Sequence, residues 1–489
     1  MRERFMLLGL GVLAAGAALA IGDSSLDKLL ALVLFGGLCA LTLRYPLVAL
    51  SLLIVMTVSN LSSNLILGFG APSVAKLAAP GMMALLIVRL MFWGDRPYVG
   101  WLSLWFFCGL LGLKLFGATY AADDWSKTLK DCSDFLKDAI VALLALAFLN
   151  YRNGFQVVVA SAALTVAFIC GLGLIQVLGV DLPGAFWLFA RFGEYNGRFA
   201  GPIEDENFFA VVVVFCIPLA LAQLLEARNT RGVTLWGLTC ALLFFGLLAT
   251  QSRGGILSLC VGLCVLFAQL SRGQKVGAVV ASILVVIAAS FFIGDEAFER
   301  LATLGSLVSE EGVDKSTEGR LASWTVAAEI FRSYPWMGVG AGNFNLLYQD
   351  IALEKGLIFR GEGRSTHSLY LEVLTEQGLI GLMFFLGFLA AAARGVWRAN
   401  RIAHAAGDRR LALQMAAFGA GLLGYLTGMA FLHDAYPRFL WIVLVMAIEA
   451  DGVVLATLPP PKEGDMSEEG EDETAPVPSL LLTGDMRVS

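Results

Sequence analysis

The chain of 489 residues is 58% hydrophobic and only 15% charged, with a mean hydropathy of +0.75. That composition excludes an ordinary water-soluble globular domain. The formal net charge of −6 sits at the C-terminal end, because the eight acidic and two basic residues beyond Leu458 account for the whole surplus, and a near-neutral hydrophobic body gives no footprint for nucleic acid.

In chain order, Arg2 and Arg4 precede an apolar run that resembles a signal peptide. No small-residue cleavage site followed by a polar domain appears, so the run reads as an uncleaved first span. Apolar segments at about 5–22, 29–43, 46–59, 77–93, 99–118, 134–149, 154–178, 207–225, 232–249, 254–271, 275–293, 368–392, 411–433 and 436–456 are candidate membrane helices. Two of them, 29–43 and 46–59, are short, so the number of crossings is twelve to fourteen. The fold expected is an all-α polytopic membrane protein, with residues 1–456 as the transmembrane domain and 457–489 as a disordered acidic cytoplasmic tail.

Five arginines between Arg394 and Arg410 mark that segment as cytoplasmic. Counting spans from it places Arg2, Arg4, Arg44, Arg96, Arg152, Arg228, Arg231, Arg272 and Lys275 on the same side, with both termini. The outer segments are then 119–133, 179–206, 250–253, 294–367 and the turn from His433 to Arg438. In a chain with such short connections, the two long outer loops, 179–206 and 294–367, are the places to look for function. In the larger one, Ser323–Phe331 has helical periodicity, Tyr334-Pro335 stops it, and the glycines from Gly338 to Gly342 read as a flexible turn. Short helices over the outer membrane face are expected there.

Of the eight cysteines, seven fall in apolar runs and Cys132 lies near a boundary. Neither a disulfide framework nor a cysteine metal site fits that distribution. No phosphate-loop motif is present to drive ATP-dependent transport. Charges within the spans are sparse and no pair of broken helices stands out, which argues against a transporter of lipid-linked sugars, the alternative from another class.

His367 stands where the long polar segment re-enters a hydrophobic helix, at a boundary suited to proton exchange. Thr366 and Ser368 beside it are available as caps. Glu372 and Glu376 share the next two turns of one face, where a carboxylate needs a cavity or a partner rather than lipid. Arg253 opens another outer helix end behind Thr250-Gln251-Ser252, so its guanidinium and the helix N-terminus together suit a phosphate, with Gly254 and Gly255 admitting close approach. Arg320 opens the loop helix. Arg191 and Arg198 lie in the smaller loop beside Trp187, Phe192, Tyr195 and Phe199, a mixture suited to a phosphate with an attached sugar. Glu204-Asp205-Glu206 is a possible Mg²⁺ or Mn²⁺ site. Multispan metal-dependent transferases usually carry such acids in a long first outer loop, here only Gly22–Lys28, so no metal is assigned. Structural places are expected for His404 and His433.

Three patches give the chain a family likeness. They are Arg198-Phe199-Ala200-Gly201 with Asn207-Phe208-Phe209-Ala210; Ser252-Arg253-Gly254; and Gly319-Arg320, Trp324 and Pro335–Phe344, ending in His367-Ser368, Leu371, Glu376, Gly378 and Gly381. From about 150 to 445 the chain resembles the O-antigen ligase and polymerase superfamily. The resemblance implies a multi-pass enzyme of the bacterial inner membrane that transfers a glycan from an undecaprenyl-pyrophosphate carrier at the periplasmic face. The acceptor in the ligase branch is a sugar hydroxyl of lipid A-core. It implies no cofactor or metal, and a histidine with two arginines as essential groups, matching His367, Arg253 and Arg320. Arg198, Arg191, Ser252, Asn207 and Glu376 are the candidate substrate-binding residues. Polymerases and protein-glycosylating ligases share much of this pattern, and the acidic tail departs from it.

Overall fold

A computed structural model describes residues 41–70, 73–119, 124–151, 153–182, 184–193, 197–290, 315–357, 364–433 and 437–458. The expected span 5–22, most of 29–43 and the acidic tail past Leu458 lie outside the described residues. The rest is an all-α polytopic bundle with one two-stranded hairpin. In chain order the helices are α1 Pro46–Val58, α2 Leu61–Phe69, α3 Val74–Trp93, α4 Trp101–Ala118, α5 Trp125–Ala147, α6 Gly154–Val177, α7 Glu206–Glu226, α8 Thr230–Ala249, α9 Arg253–Gln269, α10 Arg272–Ser290, α11 Lys315–Ser333, α12 Phe344–Glu354, α13 Leu369–Ala405, α14 Arg409–Gly428, α15 Pro437–Ile448 and α16 Ala450–Thr457. Strands β1 Arg191–Phe192 and β2 Phe199–Gly201 pair antiparallel.

Among the described residues, seven helices are long and apolar enough to cross a membrane, or nine if each bent pair is one span. The bent pairs revise the expectation that no helices are broken: α1 and α2 meet at 59° and α15 and α16 at 58°. Each break satisfies its polar groups locally. At the first, the Asn64 amide donates to Ser59 O at 3.0 Å and Pro202 O at 3.2 Å. At the second, Glu449 accepts from the Ser103 backbone at 3.1 Å and its hydroxyl at 2.9 Å. The first break lies beside the 198–205 segment and the second beside the start of α4, so neither forms a site with the other.

Helix α7 is the axis of the bundle, packed against α6, α8, α9 and α14. From Phe208 to Gln223 it is buried throughout, as expected of a helix apolar on all sides. Its neighbours approach closely because they carry small residues. A Cβ on Gly421 of α14 would meet Phe215 O at 2.6 Å, and one on Gly262 of α9 would meet Ala420 O at 2.6 Å.

The segment between α11 and α13 has a small core of its own, Val326, Ile330, Val339, Phe344, Tyr348 and Ala352, with Leu371 of α13 packed on it. Helix α11 ends at Ser333, before Pro335, as its sequence demands. The glycine turn that follows is not loose, contrary to its reading from sequence. Helix α13 breaks at Gly378 (φ 66°, ψ −167°), and the turn supplies the missing hydrogen bonds. The Val339 and Gly340 N–H groups donate to Thr375 O and Glu376 O at 3.0 and 2.9 Å, while Leu379 and Ile380 donate to Pro335 O and Trp336 O at 2.9 and 3.2 Å. Four main-chain bonds graft the loop into the ladder of a spanning helix.

Past this break α13 runs on to Ala405, so much of the basic segment read as a connection is helix. Similarly, α5 starts at Trp125, well before the apolar run at 134–149.

Candidate active site

Three helix N-termini come together at one end of the bundle, those of α7, α9 and α13. Each is capped by the side chain its sequence offers. Asp205 accepts from the Asn207 and Phe208 N–H groups at 2.8 and 3.0 Å. Ser252 accepts from Gly255 N at 3.2 Å. Ser368 accepts from Leu371 N, with Thr366 Oγ1 tying the same turn to Ser368 O at 2.9 Å. Aligned N-termini present positive dipole ends and favour an anion.

The side chains gathered there strengthen that preference. Burial and then the nearby guanidinium of Arg253 push the pKa of Arg320 below its ordinary value, with Asp205 opposing them. His367 is pushed down to about 4, first by burial, then by His433, Arg364 and Arg320. Burial also lowers His433, against the attraction of Asp205. Those mutual influences place Arg253, Arg320, Arg364, His367, His433 and Asp205 in one electrostatic neighbourhood, reached from α9, α11, the run into α13, the turn before α15 and the α7 cap. The ring of His433 lies 5.7 Å from that of His367 and 5.4 Å from Phe208. Arg364 Nη1 and His433 Nδ1 are buried without a hydrogen-bond partner in the protein, which is costly unless a ligand or water completes them.

The backbone is held in place to make this arrangement. His367 (φ 50°) and Gln251 (φ 50°) both occupy the left-handed region that non-glycine residues rarely adopt. The guanidinium of Arg364 lies flat against Gly319, where a Cβ would stand 3.2 Å from Nη1. The glycine before Arg320 therefore makes room for a third arginine.

Arg198 is buried, and its guanidinium faces protein on every side. Nε donates to Thr250 O at 2.8 Å, Nη2 donates to Asn207 Oδ1 at 3.0 Å, and Nη1 stands 3.6 Å from Glu206. Asn207 Oδ1 also accepts from Ser252 Oγ at 2.9 Å. Arg198, Asn207 and Ser252 thus form a strut that fixes the turn leading into Arg253. Gly255 serves packing, since a Cβ there would meet Ala210 at 2.9 Å.

Two other candidates stand apart from the cluster. Arg191 lies across the hairpin, with Nη2 donating to Asn64 Oδ1 at 2.8 Å and Nη1 paired with Glu204. Glu376 is buried beneath the glycine turn, accepting from Phe344 N at 3.4 Å. The consecutive carboxylates 204–206 diverge: Glu204 goes to Arg191, Asp205 caps α7, and Glu206 faces Arg198. Among the described residues no three His, Cys, Asp or Glu are grouped to hold a metal ion.

The sequence reading missed two residues. Arg364 had a signal, a basic group three positions before His367 in the same polar segment. His433 was read as structural, and its ring lies against that of His367. Its signal was weaker, a histidine in the turn before the last span.

Residues 238–386 match the family model described as O-Antigen ligase. The match covers under a third of the chain. It contains Arg253, Arg320, Arg364 and His367 and leaves Arg198, Asp205 and His433 outside. No curated protein matches the chain.

Proposed function

We propose, for a multi-pass membrane protein that belongs through residues 238–386 to the O-antigen ligase superfamily, that it transfers a glycan from undecaprenyl pyrophosphate to a sugar hydroxyl of lipid A-core. The reaction takes place at the periplasmic face of the bacterial inner membrane, with both termini cytoplasmic. The observation that carries this reading is the meeting of His367 with Arg253, Arg320 and Arg364 at three helix N-termini.

The donor's pyrophosphate lies among the guanidinium groups, which match phosphate oxygens two at a time. The acceptor hydroxyl attacks the anomeric carbon from the face opposite the leaving group. The new C–O bond forms as the bond from that carbon to the phosphate oxygen breaks, and configuration inverts. His367 takes the hydroxyl proton, and undecaprenyl pyrophosphate departs with the bonding pair. General-base help is worth roughly 10²–10⁴ in rate. The arginines neutralise charge growing on the leaving group, the role a divalent ion plays elsewhere. Arg198, Asn207 and Ser252 act through Arg253, and Glu376 acts through the docked loop.

Reconstitution with a lipid-linked glycan and separate lipid A-core or glycan acceptors tests the reading. A product on lipid A-core supports the ligase, and growth of the carrier-linked chain alone would make the protein a polymerase. Transfer is expected to survive excess chelator. A strict metal requirement would return Glu204, Asp205 and Glu206 to the mechanism. Movement of the carrier across the bilayer with no new glycosidic bond would make the protein a transporter.

A further inference from the structure

A recess opens beside the β1–β2 hairpin. Its volume is about 590 Å³, and it is lined by Leu67 of α2, Gln176 of α6, Trp187, Arg191, Ala200 and Glu204 among others. Two aromatics, Trp187 and Phe192, line it among largely apolar neighbours, and Trp187 is uncovered. Trp187 is 52% exposed, against 8% or less for Phe189 and Leu188 beside it. The Arg191 guanidinium carbon lies 5.8 Å from the Trp187 ring centroid, and Asn64 and Glu204 hold the guanidinium through Nη2 and Nη1. Arg191 Nε is buried without a partner.

An indole face beside a clamped guanidinium, a carboxylate and an amide suits one kind of small molecule well. A pyranose presents a C–H face that packs on an aromatic ring and a rim of hydroxyls that needs planar donors and acceptors. The recess is also joined to the cluster by covalent geometry. Glu204 sits in a left-handed backbone conformation (φ 67°), so it points to Arg191 while the next residue, Asp205, caps α7 at the cluster. The same hairpin carries Arg191 at one end and Arg198, the strut of the Arg253 turn, at the other.

We propose that this recess is a saccharide subsite, which holds a sugar residue beside, and not at, the reacting centre. The assignment rests on the transfer reading only for the sugar's origin, either a residue of the carrier-linked glycan beyond the first or a residue of the acceptor.

Saturation-transfer NMR on the full chain in lipid nanodiscs tests it without turnover. The probes are oligosaccharides released by mild acid from the lipid-linked pool of the host cells. The protein is expected to bind them, Trp187→Ala to weaken binding about tenfold, and Trp187→Phe to keep most of it. Binding should persist in His367→Ala. In transfer assays the Trp187→Ala effect falls on KM more than kcat, for the donor if the sugar is the carrier's and for the acceptor if it is the acceptor's. Absence of saccharide binding, or equal binding by Trp187→Ala, would overturn the subsite and leave Trp187 an interface anchor. Saccharide binding without any transfer would instead sink the transfer reading and leave the subsite standing.

Discussion

The imidazole of His433 stands edge-on to that of His367, with centroids 5.7 Å apart and planes at 88°. Both rings are held below the ordinary histidine range by burial, and His367 carries the further weight of His433, Arg364 and Arg320. A proton added to His367 would sit beside the guanidinium groups of Arg364 and Arg320, while Asp205 favours one on His433. With its pKa pushed down to about 4, His367 is uncharged at neutral pH, and that is the form that accepts a proton.

The pH profile should show this directly. With His367 down to about 4, the base form is already present at pH 5, and kcat/KM should stay flat from neutrality to about pH 5 before falling. A bound pyrophosphate cancels part of the surrounding positive charge and raises the pKa of His367. The acid limb of kcat should accordingly lie above that of kcat/KM. Coincident limbs near pH 6.5 would mean an ordinary, solvated histidine.

Replacing His433 separates packing from electrostatics. After burial, His433 is the largest influence holding His367 down, so His433→Gln should move the acid limb of kcat/KM upward toward 6.5. A residue that only fills space would lower the rate at every pH and leave the limb where it was. The readout is the position of the limb, measured in membranes with matched protein levels.

Arg253→Ala and Arg320→Ala should each lower kcat/KM by roughly 10²–10³, the usual loss when one preorganised charge partner is removed from a transition state. Lysine at either position should restore only part, because a point charge cannot bond two phosphate oxygens in one plane. His367→Ala should abolish transfer with membrane insertion intact. Full activity in any alanine variant would remove that residue from the mechanism.

How much of this was readable beforehand depends on whether the cause is local. Spans such as α7 and α8 are written in residue-by-residue hydropathy, and the caps Ser252 and Ser368 in residue type, so both were legible. Arg253, Arg320 and His367 were legible as polar groups at helix starts and through the family likeness. What was not legible depends on pairings distant in sequence. The glycines from Gly338 to Gly342 look like a free turn until Thr375 and Glu376 are seen to lack helical partners. His433 looks structural until the turn before α15 is laid against the start of α13. The break after Val58 hides because α2 is short and opens Leu61-Ser62-Ser63-Asn64, polar enough to read as a connection, and the bonds of Asn64 to Ser59 and Pro202 mark it as a bend.

The junction between the loop and α13 gives the sharpest structural test. Gly378 has φ 66° and ψ −167°, a conformation essentially reserved for glycine, and other residues pay about 1–3 kcal/mol for it. Space is lacking as well, since a Cβ there would run into the carbonyl group of Trp336. Gly378→Ala must therefore either displace the loop or straighten α13, and both routes break the four main-chain bonds that position α11 and Arg320. We expect a lower unfolding midpoint in detergent, faster proteolysis between α11 and α12, and little or no transfer. Gly387→Ala in the same helix is the control, because its Cβ would meet Phe106 at an ordinary 3.8 Å. If the two variants matched in midpoint and activity, the graft of the loop into α13 would not be what holds Arg320 beside His367.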